Sequence, residues 1–177
     1  MIKKVDKFIK NPFFMGSVIM VFGSNLTNFI NYLYHFLMGR LLNEPASYGV
    51  LASLISLLGL LGLMPSFLNL VIVKFTSEAK TEDEVRSLIY WLNKKLLLFG
   101  FLVLLFIITI SSFLASYLHI SSSLLIILVG VTFLFYLQSF FYRAVLQGLL
   151  KFHQSVLSQL IENITKLIMS NIYTKAK

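Results

Sequence analysis

Hydrogen-bonding side chains are rare in this chain's long apolar runs, and where they occur they are aligned. Ser24, Asn28, Asn31 and His35 recur at spacings of four, three and four within an apolar stretch that begins at Val18. At about 100° per residue they share one side of a helix, with Asn25 beside them. Gln159, Glu162, Asn163 and Lys166 form a second stripe at i, i+3, i+4, i+7, extended by Ser155 and Ser170. Glu162 and Lys166 stand in the favourable acid-first i,i+4 order. Gln138, Arg143 and Gln147 close the fourth apolar run, and Arg40 closes the first. Lipid offers an amide or a charge no partner, so such stripes must face protein or water. Amides can glue helices together, or they can line a wet cavity and exchange hydrogen bonds with a polar cargo. The residues alone leave both readings open.

The chemistry that these residues exclude is equally informative. There are no cysteines among the 177 residues, so disulfides, thiolate catalysis and Cys-ligated metals are absent. His35, His119 and His153 lack ligand partners at helical spacing, so no metal site is expected. No G-x-x-x-x-G-K-[ST] loop is present and no nucleophile stands beside a base. No catalytic residue, cofactor or enzymatic activity is expected. Asn25-Leu26-Thr27 and Asn163-Ile164-Thr165 match the glycosylation pattern, but both fall inside apolar runs.

The elements that carry the stripes are membrane-length. The chain is 58% hydrophobic and only 12% charged, with a mean hydropathy of +0.85. Soluble domains hold about 45–50% apolar and about 25% charged residues. The net charge of +8 does not point to nucleic acid: the basic residues flank apolar runs, with no basic helix or aromatic interleaving to track phosphates. The reading is an all-α, polytopic membrane bundle of five spans, at about 13–38, 48–73, 96–117, 122–142 and 155–172. The low apolarity of the fifth segment leaves open whether it spans the bilayer or lies on its surface.

Residues 1–10 read as a basic amphipathic lead with Ile2, Val5, Phe8 and Ile9 on one side. Asn11-Pro12 suits the first helix start. In the second run, Gly59, Gly62 and Pro65 are three apart, which favours close helix contact and a bend near Pro65. Thr81-Glu82-Asp83-Glu84 is a capping box, and Val85, Leu88, Ile89 and Leu92 follow at helical spacing. This predicts a short amphipathic connector over 81–94 lying on the membrane surface. The third run, interrupted only by hydroxyls and Gly100, is expected to face lipid.

Lys and Arg set the orientation. Lys3, Lys4, Lys7 and Lys10 precede the first span; Lys74, Lys80, Arg86, Lys94 and Lys95 lie between the second and third; Arg143 and Lys151 follow the fourth. The alternate connectors hold only Arg40 and no basic residue, respectively. A multi-pass protein of the plasma membrane with a cytoplasmic N-terminus is expected.

Phe36-Leu37-Met38-Gly39-Arg40-Leu41-Leu42, then Glu44-Pro45 and Tyr48-Gly49, resembles the end of the first helix in polysaccharide flippases of the multidrug/oligosaccharidyl-lipid/polysaccharide exporter superfamily. Pro65, Val71-Ile72-Val73-Lys74-Phe75 and the run Arg143-Ala144-Val145-Leu146-Gln147-Gly148 resemble that family as well. Asn43 stands where the family pattern has Gly, and Pro45 follows Glu44 instead of preceding it. The resemblance implies the N-terminal part of a two-bundle transporter of twelve or more helices, with the C-terminal bundle missing. The implied cargo is an undecaprenyl-diphosphate-linked oligosaccharide. Asn25, Asn28, Asn31, His35, Gln138, Gln159, Glu162 and Asn163 would border its cavity, and Arg40, Arg143 or Lys166 would attract the diphosphate. An ion-coupled multidrug-type exporter with Glu162 as coupling carboxylate, or a non-transporting membrane fragment, are the alternatives.

Overall fold

The computed structural model describes residues 12–42 and 45–175, all of them in five helices and short turns. The basic lead over 1–10 and the Asn43-Glu44 pair lie outside the described residues. The helices are α1 (Pro12–Leu41), α2 (Pro45–Glu78), α3 (Glu82–Tyr117), α4 (Ser123–Gly148) and α5 (Phe152–Lys175). Three of them, α2, α3 and α4, are long and apolar enough to cross a membrane, which makes this a membrane protein. Among the described residues α1 and α5 do not reach that apolarity, and these are the helices that carry the polar stripes.

Local signals at the helix ends account for most boundaries. Thr81 caps α3 with extended backbone and accepts a hydrogen bond from the Glu84 N–H at 3.3 Å. The Glu84 carboxylate in turn accepts from the Lys80 N–H at 2.8 Å, one residue before the position a standard capping box would use. The α3–α4 and α4–α5 turns are both Schellman closures. Ile120 N–H donates to Ala115 C=O and His119 N–H to Ser116 C=O; Lys151 N–H donates to Leu146 C=O and Leu150 N–H to Gln147 C=O. The left-handed residues are His119 (φ 54°) and Leu150 (φ 58°), where glycine is the usual occupant. Gly148 ends α4 as an ordinary helical residue, so the turn is Leu149–Lys151 and not the glycine itself.

Residues 81–94 do not form a separate surface helix. They are the first turns of α3, which continues unbroken to Tyr117. No proline or glycine interrupts the chain between the Thr81 cap and Gly100, and the packed face runs through the supposed boundary: Ile89 and Leu92 join the same cluster as Leu96. Nor does α3 face lipid all round, since Leu96, Gly100, Ile107, Ser111 and Ala115 are buried along one side.

The chain divides into two compact units. One holds α2, α3 and α4 as far as Val145; the other holds α1, α5 and the end of α4 from Leu146. In the first, α4 supplies the most buried side chains, Ile126, Phe133, Leu137 and Phe141. It packs antiparallel on α3 through two glycines. A Cβ on Gly100 would meet Leu134 and Leu137 at 2.6 and 2.9 Å, and one on Gly130 would meet Leu104 at 2.8 Å. Gly62 of α2 lies against the Tyr136 ring of α4 (3.3 Å to a Cβ placed there), whereas Gly59 faces open space. Pro65 is buried within α2, and the Ser66 hydroxyl donates to the Gly62 carbonyl at 2.8 Å. Small residues allow this close approach where apolar side chains gain little from leaving lipid.

In the second unit α1 and α5 run parallel. Gly16 lies under the Phe152 ring, Gly23 under Val156, and Asn31 beside Lys166, in the same order along both helices. Gly23→Ala would drive a methyl into Val156, whose branched side chain is stiff. That substitution should destabilise the α1–α5 pair by about 1–3 kcal/mol. Gly39→Ala, with nothing near its Cβ, should be neutral or stabilising by up to ~1 kcal/mol. Unfolding of the purified protein in mixed detergent–denaturant micelles measures both.

Candidate polar site on the α1–α5 seam

Lys166 is the residue around which the seam is built. Its ammonium lies 4.0 Å from the centroid of the Tyr34 ring and donates a long hydrogen bond (3.5 Å) to Asn31 Oδ1. Glu162 stands one turn earlier on α5, a carboxylate on the same helix. Tyr34 is buried, and the His35 ring stands edge-on to it at 5.5 Å. A half-buried ammonium is thus held by an amide oxygen and an aromatic face, a combination that suits a cation away from water.

The polar stripe of α5 is the side turned toward α1. Ser155 and Ser170 are buried, and Gln159, Asn163 and Lys166 are half-buried, on the face that also carries Val156. Part of the stripe satisfies itself: Asn163 Nδ2 donates to the Gln159 carbonyl at 2.8 Å. At the upper turn, Gln147 Nε2 donates to Ser155 Oγ at 3.3 Å. Glu162 is exposed, on the edge of the stripe.

The stripe of α1 is only partly engaged. The face of α1 that packs is Gly16, Gly23, Thr27, Tyr34 and Met38, all buried. Asn31 and His35 flank it, but Asn28 and Asn25 are exposed, and Asn25 Nδ2 donates back to the Val21 carbonyl at 2.8 Å. Arg40 ends α1, exposed, with its guanidinium 4.5 Å from the Phe36 ring centroid. That position also complements the negative end of the helix dipole. Gln138 and the half-buried Arg143 belong to α4 in the other unit. Of the eleven candidate positions, the structure therefore gathers Asn31, His35, Gln159, Asn163 and Lys166 on one seam, with Glu162 at its edge.

Several polar groups escaped the sequence reading. Tyr34 was hidden because an aromatic in an apolar run reads as packing until its cation partner, 132 positions away, is placed on it. Thr27 Oγ1, Asn69 Oδ1 and Asn93 Oδ1 are buried without a hydrogen-bond partner, as is Nε2 of Gln138, which was already a candidate. A lone asparagine between Leu68 and Leu70 was a signal that could have been taken up, since an isolated amide in an apolar run needs a partner. Among the described residues no group of His, Asp or Glu could hold a metal ion.

No protein-family model, curated protein or solved structure matches this chain.

The seam's energetics can be separated by a double-mutant cycle. Asn31→Ala and Lys166→Met should couple by about 0.5–1.5 kcal/mol. Tyr34→Phe should keep the cation–π contact and cost little, whereas Tyr34→Leu should lose a further ~0.5–2 kcal/mol. Unfolding free energies of the native chain, the four single variants and the Asn31→Ala/Lys166→Met double variant in detergent or bicelles decide it.

Proposed function

We propose that this chain forms the N-terminal part of a flippase that moves an undecaprenyl-diphosphate-linked oligosaccharide from the inner to the outer leaflet of the plasma membrane. The observation that carries the reading is the placement of Lys166 between Asn31 and Tyr34. An ionisable side chain held within a membrane-length helix pair is costly unless it has work to do on a polar or charged cargo. The ammonium offers three donors to a diphosphate, and the amides of Gln159 and Asn163 offer donors and acceptors to sugar hydroxyls. A second helical bundle supplies the opposite wall of the cavity.

In this reading α5 is the fifth span. Its contacts with α1 extend from Phe152 to Lys166, fourteen residues and about 21 Å of helix, in parallel register. Parallel packing of the first and fifth helices is what alternating crossings require, whereas a helix lying in the interface would cross α1 at one level. The basic residues at the α2–α3 turn support a cytoplasmic side for that turn and for the N-terminus.

Two experiments test this. The native chain has no cysteine, so single cysteines report cleanly. A cysteine at Ser121, in the α3–α4 turn, should label from outside intact cells, and one at Lys80 only after permeabilisation; the reverse pattern overturns the orientation. In cells that rely on the protein for surface polysaccharide, Lys166→Gln should lower export about tenfold, equivalent to ~1.4 kcal/mol, with lipid-linked precursor accumulating inside. Lys166→Arg should retain most of the export. Unchanged export by Lys166→Gln at equal protein level removes the lysine from the site.

A further inference from the structure

Within the α2–α3–α4 unit lies a groove of about 750 Å³, bordered by Phe67 and Val71 of α2, Trp91, Lys95 and Phe99 of α3, and Phe141 of α4. That size falls within the ~300–1,000 Å³ range of ligand-sized clefts. Its wall is almost entirely apolar, and Lys95 is the only charged residue lining it. Trp91 is the only tryptophan in the chain, and the Lys95 ammonium lies 5.9 Å from its ring centroid.

The chemistry of the wall restricts the occupant. Water in such a groove would find almost no hydrogen-bond partners, and an unfilled groove would forfeit the dispersion contacts of its lining. In a bilayer the group that fills it is an acyl chain. Trp91 and Lys95 stand where the apolar part of α3 begins at Leu96, the level at which tryptophan and lysine mark the membrane–water interface. Lys94 is exposed next to Lys95, and the acids that open α3, Glu82, Asp83 and Glu84, are eleven or more residues back, at least about 16 Å along the helix. The mouth of the groove is therefore locally cationic.

We propose that this groove is a binding site for an anionic phospholipid, one acyl chain lying along Phe67, Phe99 and Phe141 and the headgroup phosphate meeting Lys95. The site goes beyond the flippase reading. It depends only on insertion of the α2–α4 unit in a bilayer, and it stands or falls separately from export.

Trp91 makes the test direct. The full chain is reconstituted into phosphatidylcholine vesicles containing a minority of phosphatidylglycerol, with the acyl chains of one lipid or the other brominated at equal mole fraction. Brominated phosphatidylglycerol should quench Trp91 emission about fivefold more effectively, the ratio given by the ~1 kcal/mol that one lysine contributes near an anionic surface. Lys95→Gln should bring the ratio close to one, and Lys94→Gln, about 100° around the helix, should preserve it. Leu68→Phe, which narrows the groove, should reduce quenching by the anionic lipid while helix content by circular dichroism stays unchanged. Equal quenching by the two lipids in the native protein overturns the site. So does an equal loss in the Lys94 and Lys95 variants, which would mark diffuse surface attraction, or full preference in the Leu68 variant.

Discussion

Hydrocarbon supplies no hydrogen-bond partner, and that constraint arranges many of the polar side chains in this molecule's apolar helices. Most side chains meet it within their own helix. Ser53, Thr132 and Asn25 donate to the carbonyl four residues back, and Thr109, Ser111 and Ser170 to the carbonyl three back. These bonds cost nothing in packing and bind the helix to no neighbour. Lys166 cannot be satisfied that way: an ammonium with three donors on a long stem needs acceptors outside its own backbone ladder. It takes them from Asn31 and the Tyr34 ring, so α5 is tied to α1 by a residue that neither helix could accommodate alone.

The two units meet the same constraint by different means. In the α2–α4 unit, glycines bring backbones together and large apolar side chains fill the remainder, as Gly100 and Gly130 show between α3 and α4. On the α1–α5 seam, glycines at positions 16 and 23 again permit close approach at one end, but the contact passes into amide, aromatic and ammonium groups at the other. Shape therefore sets the register of the seam near Gly16, while charge and hydrogen bonding set it near Asn31.

What could be read from the sequence follows from what is local. The Thr81 cap and the presence of five apolar helical runs depend on neighbours within a few residues, and both are found, although the third helix starts earlier than its apolar run. The continuity of α3 was obscured because its charges resemble a connector. Charge density speaks of exposure and not of helix termination, for which a breaker is needed, and none lies before Gly100. The side of α1 that packs was left undecided for a related reason. The periodicity of Ser24, Asn28, Asn31 and His35 is real, but polarity alone does not fix which face meets protein; the small residues Gly16 and Gly23 and the bulk of Tyr34 and Met38 do. On α5 the polar stripe does face its neighbour, because there the stripe contains Lys166, whose ammonium finds its partners on α1.

That difference bears on how a helix of α5's composition can belong to a bilayer. On insertion scales each charge near a helix centre costs roughly 2.5–3.5 kcal/mol, so Glu162 and Lys166 together offset much of the gain from the surrounding isoleucines and leucines. The i,i+4 order of the two charges on one helix reduces that cost, and seating the ammonium over the Tyr34 ring reduces it further. The apolarity that α5 lacks as an isolated segment is thus compensated only once α1 is beside it. For the proposed five-span topology this makes α5 a helix whose insertion is conditional on a partner already in place, and that partner, α1, precedes it in the chain. A side chain at position 166 without a charge would relax that dependence; the present lysine makes the pairing of α1 and α5 a condition of the fold and not merely one of its contacts.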